Sequence, residues 1–491
     1  MVVIGSGLGG LTAACLLAHR GIDVVLLEKN GFVGGYNSAY ERDGFRMDVG
    51  ATMIQTPAIM REIFAGFDFD LDAELDLIPL DPLYRVDYPD GTAIDFRPSV
   101  EATAESIGQV SRRDAAAFLR YVDDMHELET AFKHFFVDGN SSRRRYASAD
   151  MIKLLRSFSP LRSVRTVTDR YFTSDYLKTA LSFQVLYWGA PPTRCPAPYG
   201  MVPYFEVTQG VWHVRGGINR ISQALGEAFA TRGGELRLHA EVETILVGGG
   251  RATGVRLAGG ETIRARAVVS NADATATYIR MVPADSLPSW FRHRVRRLSR
   301  SSATHVTLLA VPRNPVTAAL PHHTFAMPRD LSAVCRNLFE RNIPPPHFCA
   351  YVCRPTATDA SMAPPGLDAL YVLVLVPERL ADQSWAQFRQ GALDRTLSGL
   401  RSRNMIDEGS EPEALDVFLP PDFTARFNQP GGMGFGIQPT FSQMGPLRPS
   451  ARSAFVKGLY LAGASTNPGG GVPLVVSSGR AAAHAVLADL R

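Results

Sequence analysis

Near the amino terminus, Gly5-Ser6-Gly7-Leu8-Gly9-Gly10 has the G-x-G-x-x-G spacing, and each glycine has a mechanical use. The first permits a tight turn, and the second lets backbone approach a pyrophosphate. The third lets a helix pack closely on a strand, with the helix amino terminus facing the phosphate charge. Before the loop, Val2-Val3-Ile4 is a short β-branched strand. After it, Leu11 to Arg20 reads as a helix ended by Gly21, and Asp23 to Leu27 as a second buried strand. Glu28 closes that strand 18 residues after Gly10, where a carboxylate binds ribose hydroxyls; an arginine there would suit a 2′-phosphate instead. The unit predicts a dinucleotide site that uses Gly5, Gly7, Leu8, Gly9, Gly10, Glu28 and Lys29.

The elements that must position this site are spread along 491 residues, enough for two or three domains. Apolar residues make up 45% and charged residues 20%, which excludes a disordered or coiled-coil chain. A net charge of +3 is too small to argue for nucleic acid. Five scattered cysteines are no disulfide scaffold and fit a reducing compartment. No apolar run is long enough to span a membrane, and no secretory signal is visible, so a cytoplasmic location is expected. Residues 84–96 alternate around Pro89-Asp90-Gly91 as two strands, and 101–185 read as helical. Residues 235–270 form a meander punctuated by glycine turns. Further strands are expected at 304–311, 348–353 and 370–377, and a strand at 459–463 precedes a helix from about 474.

Two features choose FAD over NAD. Gly34-Gly35 follows Glu28 closely, with Phe45-Arg46-Met47-Asp48-Val49-Gly50 soon after; this resembles FAD-binding proteins of the glutathione-reductase type, in which a second glycine pair extends the phosphate loop. At the far end, a helix starting near Val472 after Gly469-Gly470-Gly471 presents its positive end to a reduced flavin ring.

The stretch Gly463-Ala464-Ser465-Thr466-Asn467-Pro468-Gly469-Gly470-Gly471-Val472-Pro473 resembles the signature G-A-[GS]-T-H-P-G-x-G-[IV]-P of bacterial carotenoid desaturases of the phytoene desaturase family. Phe435 to Gln443 with Arg448-Pro449, Phe183 to Gly189, Gly210-Val211-Trp212 with Gly216-Gly217, Ser270 to Asp273, and Pro355 to Pro364 are similar to the same family. The likeness thus runs from end to end. Asn467 stands where the family usually has histidine, and Gly35-Tyr36-Asn37 replaces the common Gly-Gly-Arg; both departures place the chain on a side branch.

The resemblance implies an α/β architecture. A Rossmann-type FAD-binding domain would be assembled from 1–75, 207–290 and 430–491. A mixed-sheet substrate domain with a helical, membrane-facing cap would come from 76–206 and 291–429. It adds Gly34, Gly35, Val242, Asn271, Gly463, Ala464 and Val472 to the expected cofactor contacts, and Thr466, Asn467, Pro468, Gly469, Gly470 and Val472 as candidates beside the reacting atoms. The implied reaction is desaturation of a linear polyene or isoprenoid: hydride passes from an allylic C–H to flavin N5, a proton leaves the adjacent carbon, and oxygen or a quinone reoxidises the cofactor. Such a substrate offers no polar handle, so catalysis rests on positioning in a dry tunnel, with Phe183–Trp188 and Leu370–Val376 as candidate walls. No acid or base residue stands out. Redox-neutral carotenoid isomerisation, terminal-methyl oxidation and a non-catalytic prenyl-binding protein of the Rab escort type remain open on the same scaffold.

A lipid-borne substrate also implies a membrane surface as partner. Residues 143–170 carry Arg143, Arg144, Arg145, Lys153, Arg156, Arg162, Arg165 and Arg170, interleaved with Ile152, Leu154, Leu155, Phe158 and Leu161, a basic amphipathic pattern suited to anionic lipid. Phe132, Phe135 and Phe136 just before it are candidates to enter the bilayer. Arg292, Arg294, Arg296, Arg297 and Arg300 form a second basic cluster. No metal site is expected: Cys349 and Cys353 lack zinc spacing, and His322 and His323 would point to opposite sides of a strand.

Overall fold

Two sheets built on different rules organise the chain. The computed structural model describes residues 1–136, 149–158 and 162–490. The first sheet has five parallel strands in the spatial order Glu235–Arg237, Val25–Leu27, Val2–Ile4, Val268–Ser270 and Leu459–Leu461. Each strand is only three residues long, and the three at the centre and on the carboxy-terminal side, 2–4, 268–270 and 459–461, are wholly buried. Helices cover both faces of such sheets, so their strands read as unbroken apolar runs.

The first helix, Leu8–His19, packs on the last helix, Val472–Asp489, and on Asn219–Thr231. It begins three residues earlier than the sequence predicts. Gly9 and Gly10 belong to its first turn, because the contacts there leave no room for side chains. A Cβ on Gly10 would lie 2.0 Å from the Gly5 carbonyl oxygen, and one on Gly479 of the last helix 2.3 Å from the Gly9 carbonyl oxygen.

The expected meander divides between two sheets. Val242–Gly248, Arg251–Leu257 and Thr262–Arg264 make an antiparallel three-stranded sheet, whereas Val268–Ser270 leaves it to pair between the first and last parallel strands. Glycine turns separate the strands locally, but the register of Val268–Ser270 is set by neighbours more than 180 residues away.

The second sheet has seven strands, ordered Glu413–Phe418, Ala303–Pro312, Leu367–Val376, Ala350–Cys353, His323–Ala326, Tyr84–Asp87 and Ala93–Phe96. All pairs are antiparallel except 323–326 with 84–87. Its two longest strands run ten residues each, and Leu308, Leu309, Leu370 and Val372 in them are fully buried. Helices from 100 to 209 pack over one end, sharing a core that includes Tyr84, Phe118, Tyr121, Phe172, Phe183 and Phe325.

That core changes the reading of the basic segment. Phe132, Leu154 and Phe158 are buried in it, with the Phe132 ring 4.9 Å from Phe205, so these side chains are inward-facing core and not membrane contacts. Ile152 is exposed. Arg143, Arg144, Arg145 and Leu161, with the side chains of Phe135, Phe136, Asp150 and Leu155, lie outside the described residues. In the second cluster, Arg300 is paired with Glu378 and is not a free surface charge.

Candidate functional site

A cavity of about 380 Å³ lies between the two sheets. Its first border is the glycine loop. Gly5, with φ of +86°, turns the chain out of the first strand. Gly7 ends the loop as a helix cap without a side chain, and no acidic residue stands in the first helical turn. The amino terminus of the helix is therefore left for an anion.

Glu28, 4% exposed, ends the second strand and is fully oriented. One carboxylate oxygen accepts from Ser6 N at 2.9 Å and Ser6 Oγ at 2.8 Å, the other from Asn30 N and Nδ2, both at 2.9 Å. Lys29 Nζ donates to the Ala425 carbonyl at 2.7 Å and to Asn428 Oδ1 at 3.0 Å, drawing the carboxy-terminal end of the helix Pro420–Phe427 over the same end. Gly34 N donates to the Ser6 carbonyl at 2.9 Å. At Gly35 an added Cβ would meet protein only at Gly7 Cα, 3.6 Å away, so any side chain there would grow into the cavity.

Of the residues expected to hold the cofactor, Gly5, Gly7, Leu8, Glu28, Lys29, Gly34, Gly35, Val242, Asn271, Gly463, Ala464 and Val472 all border this cavity. Gly9 and Gly10 stand behind it as helix-packing residues. The carboxy-terminal loop divides. Gly470, Gly471, Val472 and Pro473 border the cavity, where the last helix opens without a side-chain cap. Thr466, Asn467, Pro468 and Gly469 do not. Thr466 Oγ1 donates to the Gly463 carbonyl at 2.7 Å, and Asn467 Nδ2 to the Gly445 carbonyl at 3.2 Å.

Arg448, buried with burial lowering its pKa, binds this turn from behind. It donates to the carbonyls of Thr466 at 3.0 Å, Ile437 at 2.9 Å and Ala464 at 2.7 Å. Trp188 Nε1 donates to the Gly470 carbonyl at 2.7 Å. The four residues thus shape the loop, while Gly470 and Gly471 face the cavity.

Asn37 turns into the protein and donates to the Ile218 carbonyl at 3.0 Å and Ser222 Oγ at 2.8 Å. Tyr36 takes the position at the cavity and donates to the Met433 carbonyl at 2.9 Å. Asp48 accepts from Ile218 N at 3.2 Å and Asn219 N at 3.3 Å. Burial outweighs those bonds and pushes its carboxyl up to about 7.

The far wall comes from the mixed sheet, and strand alternation explains it. Tyr371, Leu373 and Leu375 face the cavity from one strand, with Cys349 and Tyr351 from the next and Phe325 and Met327 from a third. Phe183 and Leu186 close the wall from the helical side, with the Phe183 ring 4.5 Å from Phe325. Thus half of the 370–376 segment lines the cavity while Leu370, Val372 and Val376 are core. Among the residues bordering the cavity the charged ones are Glu28, Lys29 and Glu241, all at the nucleotide end.

Sequence reasoning missed a polar group behind this wall. His323 opens its strand, but His322 precedes the strand in a bend, so the rule of alternating sides does not separate them. Their ring centroids lie 4.4 Å apart, and His322, His323 and Cys353 each bring a donor atom within 4.8 Å of the others. Tyr351 OH links His323 Nδ1 at 2.7 Å to Thr52 Oγ1 at 2.6 Å. Glu206, also missed, is fully buried and accepts from Tyr84 OH at 2.7 Å and from Gln55; burial raises its carboxyl to about 8. These groups come from distant segments with no local motif.

Glycine loops that side chains would fill, two uncapped helix termini and an oriented carboxylate fit a dinucleotide, and the site beside an apolar wall defines a flavin-dependent oxidoreductase. Comparison with known proteins agrees. The family model for flavin containing amine oxidoreductases matches residues 8–487. The chain is 34% identical over 490 residues to a zeta-carotene-forming phytoene desaturase of Myxococcus xanthus, covering 98% of this chain and 92% of that one. It is 33% identical to a neurosporene-forming phytoene desaturase of Cereibacter sphaeroides, with 97% and 92% covered. An oxidoreductase structure from Methanosarcina mazei has the same fold, with a TM-score of 0.67, 18% identity and 98% of each chain covered. The chain belongs to the flavin containing amine oxidoreductase family, on its bacterial carotenoid desaturase branch, and FAD is its cofactor.

Proposed function

We propose that the protein desaturates a carotenoid or a related linear isoprenoid. The observation that carries this reading is the wall of Phe183, Leu186, Phe325, Met327, Leu373 and Leu375, which carries no charge and continues directly from the glycine loops. A polar substrate would leave its hydrogen-bonding groups unpaired there at a cost of about 1–3 kcal/mol each; a hydrocarbon chain loses nothing. The relatives' names, phytoene desaturase, describe substrates of that kind.

When bound, FAD supplies the acceptor, at flavin N5, for hydride from an allylic C–H. The protein's part is to bind, orient and keep water out. The first-turn N–H groups of Leu8, Gly9 and Gly10 would hold the pyrophosphate. Ser6 Oγ and Asn30 Nδ2, the side-chain donors on Glu28, stand where ribose hydroxyls would donate. Through Gly471 and Val472 the positive end of the last helix would stabilise negative charge on the ring. Aromatic and branched side chains of the mixed sheet hold the polyene in one register, so that positioning lowers the barrier.

The same reading brings the protein to a lipid surface. No helix among the described residues is long and apolar enough to cross a membrane, so contact would be peripheral. Support comes from Ile152 and Trp290, both exposed, with basic neighbours Lys153 and Arg156 in one case and Arg292 and Arg294 in the other.

The test is anaerobic. FAD-loaded protein is mixed with liposomes carrying phytoene or its C30 analogue, and the flavin and polyene bands are followed together. Bleaching of the flavin with growth of a longer-wavelength polyene spectrum is expected. An oxidised flavin beside an unchanged polyene spectrum would defeat desaturation of these substrates.

A further inference from the structure

Desaturation releases a proton as well as a hydride, and that proton must leave a cavity whose far wall carries no charge. The wall is polar where Thr52 and Tyr351 meet it. Buried polar groups continue from there in a line. Tyr351 OH lies 2.7 Å from His323 Nδ1. The His323 ring lies 4.4 Å from that of His322, and His322 4.7 Å from His213. His213 Nε2 lies 3.4 Å from Asp359 Oδ2. Asp359 is 4.0 Å from Arg215, whose side chain is 55% exposed. The line therefore runs from the cavity to the surface.

Its bonding pattern supplies direction. His323 takes the Tyr351 hydroxyl at Nδ1, and His322 Nδ1 is engaged with Thr358 Oγ1 at 2.8 Å. The Nε2 atoms of both rings are buried without a protein partner. If His323 accepts at Nδ1, its proton sits on Nε2; if His322 donates to Thr358, its Nε2 is a free acceptor. One unpaired donor thus stands beside one unpaired acceptor, directly or through one water.

We propose that Tyr351, His323, His322, His213 and Asp359 form a proton exit serving the desaturation inferred above, on which this inference rests. Hydride leaves one allylic carbon for FAD with both electrons of its bond. The adjacent C–H bond then breaks, its electron pair becomes the new π bond, and the proton goes to the Tyr351 oxygen as the phenol's own proton passes to His323 Nδ1. The imidazolium formed there hands its Nε2 proton to His322 Nε2, and His322 releases its own Nδ1 proton to Thr358 Oγ1, while the Asp359 carboxylate, bonded to the neighbouring His213, stabilises the passing charge. Tyr351, which borders the cavity, is the catalytic residue; the histidines act through it.

The charged and titratable groups around the line agree with this use. His323 is faced by His322, His213, Tyr351 and Cys353, and His322 also by Arg354. Burial, with those neighbours, holds His322 and His323 well below the ordinary imidazole value, so both are neutral and able to accept. Burial opposes ionisation of Asp359, but bonds from Gly216 N, Ser361 and His213 prevail and keep it a carboxylate.

The experiment uses FAD-loaded wild type, Tyr351→Phe and His323→Gln with phosphatidylcholine–phosphatidylglycerol vesicles carrying phytoene. Flavin reduction is followed anaerobically in single turnovers across pH, in H2O and D2O. Both variants are expected to retain FAD and the same dependence on substrate concentration, and to reduce the flavin ~100-fold more slowly. The wild-type rate should fall with acidification below the ordinary imidazole range and slow in D2O; both effects should vanish in the variants. Before substrate is added, 15N-histidine spectra should show a neutral Nε2–H tautomer, absent from His323→Gln. Variants that match wild type, or that slow it with its pH and D2O effects intact, would overturn the exit alone, as would an imidazolium at His323 at neutral pH. A wild type that neither phytoene nor its C30 analogue reduces would overturn the desaturase reading and the exit with it.

Discussion

The two sheets that enclose the cavity reach the same burial by opposite means. The parallel sheet is made of three-residue strands and of glycines; its tightness is backbone against backbone. The mixed sheet is made of strands up to ten residues long and of large rings; its tightness is side chain against side chain. The cofactor side should therefore be intolerant of a single added methyl group, and the substrate side intolerant of a removed ring.

The sharpest way to break that comparison is Gly10→Ala. The new Cβ would lie 2.0 Å from the Gly5 carbonyl oxygen, so backbone must move. A loss of more than ~3 kcal/mol is expected, read as a lowered melting temperature and a colourless purified protein.

On the other sheet, Phe325→Ala removes a ring packed 4.5 Å from Phe183 and 4.9 Å from Tyr351, costing ~3 kcal/mol. Here the flavin should stay bound while polyene binding weakens, and Phe325→Leu, nearer in volume, should cost less. Loss of flavin in the Phe325 variants, measured by its absorbance, would erase the distinction between the sheets.

Buried acids extend the comparison to pH. Glu206, behind the substrate wall, has its folded-state pKa raised from 4.5 to about 8 by burial. The folded state then binds the proton more tightly than the unfolded, so stability from this group is present at low pH and is lost as pH rises from 4.5 through about 8, by at most ~1.4 kcal/mol per pH unit. Glu206→Gln should flatten that decline in denaturant titrations, since Gln55 can turn its amide to accept. Asp48, on the cofactor side, is raised to about 7 and should leave a residual slope ending one unit lower.

The smallest effect is expected from Arg85→Ala, which removes a cross-strand pair with Asp95 at 2.7 and 2.9 Å. Half-exposed pairs of this kind contribute ~1 kcal/mol or less, and a melting shift larger than that of Phe325→Leu would mean that the sheet edge, not its aromatic face, carries the stability.

The two sides also differ in how far they were readable. That the glycine loop, Glu28, Gly34-Gly35 and the glycines before the last helix belong to one cavity was legible because turns of this kind are encoded within a few residues. The cavity wall was legible only as apolar strands. Whether Leu373 lines the cavity and Val372 the core depends on which face of the sheet meets the cofactor, and strand periodicity leaves that choice open. Phe132, Leu154 and Phe158 were read outward because amphipathic spacing shows which residues share a face, not what covers it. His322 and His323 were separated by a strand rule that fails when the strand begins at the second of them.

The sequence by itself determined the dinucleotide loop, its carboxylate and the likeness to carotenoid desaturases, because turns, caps and signatures are local and survive without knowledge of their neighbours. Only the tertiary structure decided that Arg448 and Trp188 hold the carboxy-terminal loop, that Asn467 faces away from the cavity, and that Tyr351, His323, His322 and His213 stand in line from it. Those contacts join segments up to 282 residues apart, and sheet order and register, which no window of sequence contains, bring them together.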